Sequence, residues 1–499
     1  MLGLGLPALA AWQALKGWSP TTLFAAGEAG GLWDFSTLAN LYQDSAGTTP
    51  CTAVGDPIGL VLDTKNGVPQ LGPELVVNGD FSNGTTGWTL AAYTTAGTPA
   101  GGKVRFSGTA PNTNFNIIAY QVLSVVAGRA YRIDVPQTIV AGNVAVGFYA
   151  SGVSGLNIGG SNGATPCIVV ATSATLCITL YAWNGASTNV PFDVTFGPVT
   201  AKEIPGNHLT QSTSTKCPTL GRMPATGVRN LLVNTATLST QNVNTSAGSY
   251  TIQFTGAGSV TASGTYSGAL TNGQTFTCTA GTLTLTVSGS VTNAQLEAGS
   301  TATAKQVVGA AYDVTESGVA SVYTAYFDGV DDCLVSPSID FTATDAMSVF
   351  SGFRKTSDAA RGMVAELSAT TDSNNGSFAL TAPNAASATI VYESKGTSLT
   401  DTSATIAAPA DSVISAVSDI SADSNVLRRN GAQTDSDTGD QGTGNFGNYP
   451  IYVGQRGAAS LPYKGFLSAL CTRGAATDAA TVTSMEKWMA ARTPGVTLP

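Results

Sequence analysis

Histidine and charged residues are scarce in this chain of 499 residues. His208 is the single histidine, and Asp, Glu, Lys and Arg together make up 11% of the sequence. One imidazole excludes a metal site built from several histidines, and it argues against a Ser-His-Asp triad. The 22 basic residues are scattered through a chain with a formal charge of −9. Binding to nucleic acid, which needs clustered cations, is therefore not expected.

Cysteines are few and widely spaced. The seven cysteines are odd in number and include no Cys-x-x-Cys pair, so neither a zinc site nor a disulfide framework is indicated. We expect small buried thiols in strands. The alternative is a disulfide bond between Cys167 and Cys177 across one hairpin.

The apolar start of the chain lacks the features of an export signal. Residues 1–15 have no basic residue before the apolar run, and Lys16 follows it. The run is also too short and too rich in Gly and Pro to span a bilayer. We expect a hydrophobic peg, with a helix over residues 7–16, that docks into a partner.

The residues that are abundant favour β structure. Apolar residues make up 43% of the chain, and 57 glycines accompany many Thr, Ser and Ala residues. Short alternating apolar runs recur between turn residues, which is typical of antiparallel sandwiches. The predicted fold is all-β, with tandem jelly-roll-like sandwiches, an N-terminal attachment segment and a short C-terminal helix over residues 478–491.

Composition divides the chain into five predicted segments. The stretch 205–228 is rich in Pro and Gly without an apolar period, which indicates a linker. The opening of the segment after it echoes residues 75–78, which suggests a degenerate repeat. The segments are an attachment segment (1–72), a sandwich (73–204), a linker (205–228), a smaller spacer sandwich (229–308) and a C-terminal sandwich (309–499).

An Asp-Gly step near residue 328 predicts a hairpin. Apolar strands 322–327 and 333–335 flank the acidic sequence DGVDD, and glycine accepts the positive φ that such a turn needs. Asp328, Asp331 and Asp332 are interpreted first as turn residues. Ca²⁺ binding is the alternative, since this cation takes several carboxylate oxygens from a turn. We expect no other cofactor.

Hydrolysis would require two carboxylates in one cleft. Glu366 and Glu393 are isolated in the sequence, and no Glu-x-Asp-x-x-Glu pattern occurs. We therefore expect no enzymatic activity. Sugar recognition instead uses aromatic faces and polar side chains, for which the candidates are Trp88, Tyr93, Trp183, Tyr449, Arg456 and Tyr463.

Five stretches of the sequence resemble three kinds of known protein segment. Residues 326–332 (YFDGVDD), 442–450 (GTGNFGNYP) and 473–478 (RGAATD) resemble a laminin-G-like, concanavalin-A-like lectin domain of phage and prophage virion proteins. Residues 75–82 (LVVNGDFS) resemble carbohydrate-binding-module-like jelly rolls. Residues 41–50 (LYQDSAGTTP) look like the N-terminal segment of tailed-bacteriophage structural proteins.

The resemblance implies a structural protein of a tailed-phage particle. It would be a tail or head fibre, assembled in the host cytoplasm and attached to other virion proteins through residues 1–72. Contact with host-surface glycan and a homotrimer are further expectations, and deletion of residues 1–70 is expected to leave folded β modules. A polysaccharide-degrading tail enzyme and a secreted bacterial adhesin are the alternatives.

Overall fold

The computed structural model describes residues 18–45, 47, 49–67, 72–111, 116–150, 153, 157–159, 166–183 and 189–499. These residues form antiparallel sheets and one α-helix near the C-terminus. The prediction of an all-β fold of sandwiches with a short C-terminal helix is confirmed. The peg and helix predicted within residues 1–16 lie outside the described residues.

The N-terminal part contributes short elements. They are two 3₁₀ helices, Pro20–Phe24 and Leu38–Asn40, and the strands β1 (Gly30–Asp34), β2 (Leu41–Tyr42) and β3 (Leu60–Val61).

A first sandwich follows, and it has its own apolar core. Its sheets are β11-β10-β13-β7-β4, β5-β6-β14-β9 and β12-β8-β15. Inward-facing side chains such as Phe106 and Phe196 alternate with more exposed ones, and together with Ile178 they fill the space between the sheets. The strands are β4 (Thr89–Leu90), β5 (Thr94–Ala96), β6 (Val104–Ala110), β7 (Asn116–Ser124), β8 (Ala130–Asp134), β9 (Gln137–Ala141), β10 (Val144–Ala150), β11 (Asn157–Gly159), β12 (Cys167–Val170), β13 (Thr175–Ala182), β14 (Val190–Phe196) and β15 (Thr200–Ile204).

The stretch predicted to be a linker is folded into the C-terminal sandwich, so that prediction is wrong. It contains β16 (Leu209–Thr210), a 3₁₀ helix Ser214–Lys216 and β17 (Thr219–Pro224). Strand β16 pairs with β3, and β17 pairs over six residues with the strand Ser321–Asp328. The prolines of this stretch suggested a linker, but Pro218 lies just before β17 and Pro224 is its last residue. At these positions neither proline interrupts the pairing of the strand.

The smaller sandwich is built from two sheets with the orders β18-β23-β20-β21 and β22-β19-β24. A separate hairpin, β25 with β26, follows it. The strands are β18 (Gln241–Thr245), β19 (Gly248–Thr255), β20 (Ser259–Gly264), β21 (Gly268–Leu270), β22 (Thr275–Cys278), β23 (Gly281–Ser288), β24 (Thr292–Ala298), β25 (Gln306–Val308) and β26 (Val314–Glu316).

The rest of the chain supplies most of the C-terminal sandwich and the helix α1. Asp478 caps α1, because its side chain accepts hydrogen bonds from the backbone N–H groups of Ala480 and Thr481. The elements are β27 (Ser321–Asp328), β28 (Leu334–Val335), β29 (Ile339–Asp340), β30 (Ala346–Lys355), β31 (Met363–Leu367), β32 (Ser377–Thr381), β33 (Thr389–Lys395), β34 (Leu399–Thr405), β35 (Ala410–Asp419), β36 (Ser424–Arg429), β37 (Ala432–Asp437), β38 (Asn448–Tyr449), β39 (Ile451–Val453), β40 (Lys464–Arg473) and α1 (Ala479–Ala490).

The two large sheets of this sandwich include N-terminal strands. The nine-stranded sheet has the order β2-β3-β16-β28-β39-β31-β32-β33-β34, and the eight-stranded sheet has β17-β27-β40-β30-β35-β36-β37 with β1 on β40. Trp33, Phe35 and Ile58 are fully buried in the same core as Phe327 and Tyr392. Strands β1, β2 and β3 are therefore part of the C-terminal sandwich rather than of a free attachment segment.

Seven buried thiols complete the core. All seven cysteines are free and buried, as predicted, but only four of them lie in strands, since Cys51, Cys217 and Cys333 lie in connections. Cys167 and Cys177 lie in different sheets, on β12 and β13, so the alternative of a bridge across one hairpin is wrong. Within the part of the chain that the structure describes, no helix has the length and apolar character needed to cross a membrane.

Candidate functional site

Two of the predicted sugar platforms are core residues. Trp88 is 6% exposed, packs on Phe81 with ring centroids 5.5 Å apart and donates from Nε1 to the carbonyl of Asn78. Tyr463 is 1% exposed and donates from its hydroxyl to the carbonyl of Arg354 at 2.8 Å. Neither ring has a face for a ligand, so these two predictions are wrong. Each residue lies immediately before a strand, and its side chain packs into a core.

The other three predicted aromatic residues, Tyr93, Trp183 and Tyr449, differ in the solvent exposure of their rings. The hydroxyl groups of Tyr93 and Tyr449 donate to the carbonyls of Ile117 and Asn375, and both rings pack partly against the cores. Trp183 lies just after β13 and is 39% exposed. Of the predicted aromatic residues, Trp183 offers the most accessible ring.

The acidic turn does not form the predicted hairpin. β27 belongs to the eight-stranded sheet and β28 to the nine-stranded sheet, so residues 329–333 cross from one layer to the other. Gly329 has φ +81°, as an Asp-Gly turn requires. The sequence predicts that the chain reverses here, but it does not predict which strands pair. β27 pairs with β17 and β40, whereas β28 pairs with β16 and β39.

The carboxylates of Asp328, Asp331 and Asp332 converge, with one oxygen of each within 4.8 Å of the others. Asp332 accepts a hydrogen bond from the backbone N–H of Asp328 at 2.8 Å, and Asp328 accepts one from Val330 at 2.7 Å. Burial, helped by the negative charges of Asp328 and Asp331, raises the pKa of Asp332 to about 7. The donor set fits Ca²⁺, although a cation would have to displace this proton near neutral pH. Calcium binding here stays a prediction.

The grouping that sequence reasoning missed lies on the outer face of the nine-stranded sheet, where Glu366 and Glu393, which are isolated in the sequence, share one face. On β32, β33 and β39, alternate side chains enter the core, and on β31, where the register shifts, Val364, Ala365 and Leu367 do so. The intervening residues align across five strands, because directly opposed partners share a face. This row, named here the polar row, is Tyr452, Glu366, Ala379, Glu393 and Asp401.

Two arginines cover the polar row. Arg361 Nη2 lies 2.5 Å from Glu393 Oε1, and Arg456 Nε lies 3.2 Å from Glu366 Oε2. Arg456, a predicted sugar contact, also pairs with Asp372. Because strands are about 4.8 Å apart, the Cα atoms of Glu366 and Glu393 lie about 10 Å apart. Arg456, which was predicted as a sugar contact, thus forms ion pairs with Glu366 and Asp372, both more than 80 positions away in the sequence.

A loop is tied to one end of the row. The backbone N–H of Thr371 donates to Glu366 Oε1 at 2.6 Å. Lys395 Nζ donates to the carbonyls of Thr371 and Asp372, each at 2.9 Å. These bonds hold the loop over Glu366, which is completely buried.

Burial and neighbouring charges shift the pKa values of Glu393 and Arg456. Burial raises the pKa of Glu393, although Arg361 and Arg456 partly oppose this shift. For Arg456, burial disfavours the charge, but Glu366 and Asp372 hold its pKa above the ordinary value. A signal was present in the sequence, since Glu366 and Glu393 interrupt apolar strand runs.

Two clefts lie between modules. One of about 580 Å³ separates the smaller sandwich from the C-terminal sandwich, with Asn230, Asn244, Tyr326 and Arg354 in its walls. The other, of about 420 Å³, is bordered by Lys65 and by residues 126–129. Neither is lined by a predicted sugar or metal residue.

Comparison with known proteins gives no family. No protein-family model matches the sequence, and no curated protein matches it either. Solved structures give partial matches, among them several that cover about a third of the chain.

Three of these structures are two carbohydrate-related domains and a toxin binding domain. The Ruminococcus gnavus IT-sialidase CBM40 is 13% identical, with 29% of this chain and 84% of that chain covered and a TM-score of 0.25. Domain 4 of AbnA, an extracellular arabinanase from Geobacillus stearothermophilus in complex with arabinotriose, is 14% identical over 37% and 82%, with a TM-score of 0.27. The binding domain of botulinum neurotoxin DC, in complex with rat synaptotagmin II, is 8% identical over 34% and 42%, with a TM-score of 0.27. TM-scores this low carry no argument about the function of this chain.

Proposed function

We propose that this chain is a non-enzymatic, exposed protein of a tailed-phage particle that binds host-surface glycan through the polar row. The observation that carries the binding proposal is the alignment of Glu366, Glu393 and Asp401 with Tyr452 on one outer sheet face. Carboxylates and guanidinium groups pair with sugar hydroxyls, and an aromatic ring covers a sugar face.

The row is accessible from its rim. The side chain of Asp372 is 61% exposed, Asp401 is exposed and Tyr452 is half-buried. The centre is held rigidly, because Glu366 and Arg456 are buried and hydrogen-bonded. Fixed polar groups lose little conformational entropy on binding.

The virion part of the proposal rests on the sequence resemblance. Since strands β1, β2 and β3 belong to the C-terminal sandwich, attachment would fall to residues 1–17, which are mostly apolar. A homotrimer remains part of the proposal. Detection of the intact chain in purified phage particles supports this part, and its absence from particles overturns it.

Glycan binding is tested with the full chain on an array of bacterial surface glycans. Asp401→Asn and Tyr452→Ala alter the rim, and Asp440→Asn changes an exposed carboxylate elsewhere in the same sandwich. The proposal expects at least a tenfold loss of affinity for the two rim variants and no loss for Asp440→Asn. Absence of binding, or equal binding by all variants, contradicts it.

A polysaccharide-degrading enzyme is the second candidate, because Glu366 and Glu393 share one face. Binding is favoured over hydrolysis, since Glu366 is fully buried and already accepts hydrogen bonds from Thr371 and Arg456. A general acid or base must reach the scissile bond. Release of reducing sugar that is lost in Glu393→Gln would support the enzyme instead.

A further inference from the structure

The ion pair between Arg361 and Glu393 uses one atom of each side chain. Nη2 of Arg361 contacts Oε1 of Glu393 at 2.5 Å. Arg361 Nε and Glu393 Oε2 are buried and find no hydrogen-bond partner among the described residues. A free donor and a free acceptor therefore belong to the same pair.

A second free donor belongs to Arg456. Its Nη2 lies 3.1 Å from Glu366 Oε1 but lacks hydrogen-bond geometry, and it has no other partner in the described part of the chain. Glu393 and Arg456 are 7% and 9% exposed. Although both groups are ion-paired, a buried donor or acceptor atom without a hydrogen bond is unfavourable, so these atoms indicate that a polar ligand completes the cluster.

The charges around the free atoms restrict the ligand. Three cations, Arg361, Lys395 and Arg456, face four carboxylates, those of Glu366, Asp372, Glu393 and Asp401. A ligand carboxylate or phosphate can only accept hydrogen bonds, so it would leave Glu393 Oε2 unpaired and add negative charge. An ammonium group would in turn leave the arginine donors unpaired.

A hydroxyl group meets both requirements, because it donates one hydrogen bond and accepts others. Two adjacent hydroxyls can donate to Glu393 Oε2 while accepting from Arg361 Nε and Arg456 Nη2. The half-buried Tyr452 on the same row offers an aromatic surface for the attached ring.

We propose that Arg361, Glu393 and Arg456 form a subsite for two adjacent hydroxyls of a neutral sugar. This inference rests on the proposed function and specifies its ligand. It predicts that neutral glycans bind in preference to sialylated or uronic-acid glycans.

The test uses the full wild-type chain and monosaccharide probes in saturation-transfer NMR. Glucose, galactose and mannose are compared with their monodeoxy analogues and with N-acetylneuraminic and glucuronic acids. For at least one neutral sugar, removal of either of two adjacent hydroxyls is expected to weaken binding at least tenfold. This comparison needs no variant, so folding defects cannot obscure it.

Variants then locate the subsite. Glu393→Gln and Arg361→Gln are each expected to weaken binding of the neutral sugar at least tenfold, and Asp440→Asn is not. Unchanged affinity in both variants, or binding of acidic sugars alone, overturns the diol subsite while glycan binding stands. Failure of every glycan on the array to bind overturns the proposed function itself. A ligand-free crystal structure in which Arg361 Nε bonds Glu393 Oε2 would also contradict the subsite.

Discussion

The backbone N–H of Asp63 donates a 2.9 Å hydrogen bond to Nδ1 of His208, across 145 positions of sequence. Because Nδ1 accepts, the proton lies on Nε2, which donates to the carbonyl of Ile204 at 3.0 Å. The Asp63 carboxylate in turn accepts from Leu32 and Asn207. The lone histidine therefore joins the N-terminal strands to the connection after the first sandwich.

Replacing His208 with alanine should destabilise the C-terminal sandwich. The change removes the partners of two backbone groups in a site where His208 is 2% exposed. Buried groups without partners cost free energy, so we expect a loss of about 2–4 kcal/mol in the free energy of unfolding. Urea denaturation measures it. Thr215→Ala, an exposed change in the same connection, should stay within about 0.5 kcal/mol, and equal effects of the two changes would contradict the structural role.

The contribution of His208 should also depend on pH. Burial lowers its pKa in the folded state, although Asp63 and Glu203 oppose the shift. A lowered pKa means that the stabilisation is present above the unfolded pKa of about 6.5 and is lost as the pH falls below it. The stability difference between wild type and His208→Ala should therefore shrink between pH 8 and pH 5. A difference that is constant over this range would argue against a neutral buried ring.

Two N-terminal deletions of different length should differ in their effect on the stability of the C-terminal sandwich. If residues 1–17 serve attachment alone, as proposed, their deletion should leave the melting transition of the sandwiches unchanged. Deletion of residues 1–70 removes β1, which pairs with β40 over five residues, and the fully buried Trp33. Since a buried tryptophan is worth about 3–5 kcal/mol, the C-terminal sandwich should unfold. Circular dichroism and limited proteolysis measure both outcomes, and a folded remainder after the longer deletion would show that the N-terminal strands are dispensable.

Asp332→Asn should reveal the proton held at the acidic turn. The folded pKa of Asp332, about 7, lies above its ordinary value of 3.8. A raised acid pKa stabilises the fold below the unfolded pKa, and this stabilisation is lost as the pH rises to about 7. Asparagine does not titrate, so the variant should gain stability relative to wild type between pH 4 and pH 8. Thermal unfolding at several pH values measures the difference, and a pH-independent difference contradicts the shift.

Calcium tests the alternative role of the same turn. If the three aspartates bind Ca²⁺, added calcium should raise the Tm of wild type at pH 8, because a ligand that binds only the folded state stabilises it. The increase should be absent in Asp332→Asn. An unchanged Tm in wild type would leave these carboxylates with the turn role alone.

Breaking the buried pair of the polar row should be costly. Arg456→Ala leaves Glu366, which is completely buried, without its cation. Loss of one partner from a buried ion pair costs about 3–5 kcal/mol. Asp401→Asn alters an exposed member of the same row and should change stability by less than about 0.5 kcal/mol. Chemical denaturation compares the two, and a small effect of Arg456→Ala would mean that water replaces the lost arginine.

Local patterns in the sequence were sufficient for the fold class. Alternation of apolar and small polar residues depends on the pleat of one strand, so the strands could be recognised without their partners. The helix after Asp478 was predictable for the same reason, since its cap is formed by residues two and three positions away. The reversal at Asp328 and Gly329 is likewise local.

Tertiary structure decided which strands are neighbours and hence where the candidate site lies. The pairing of Gly30 with Arg473 and the alignment of Glu366 with Glu393 depend on the register of strands that are distant in sequence. Many strands of similar composition compete for each position, and a shift of one residue would turn Glu393 toward the core. Alternation along one strand therefore predicts that a charged side chain leaves the core, but only packing of the whole sandwich determines which charges meet.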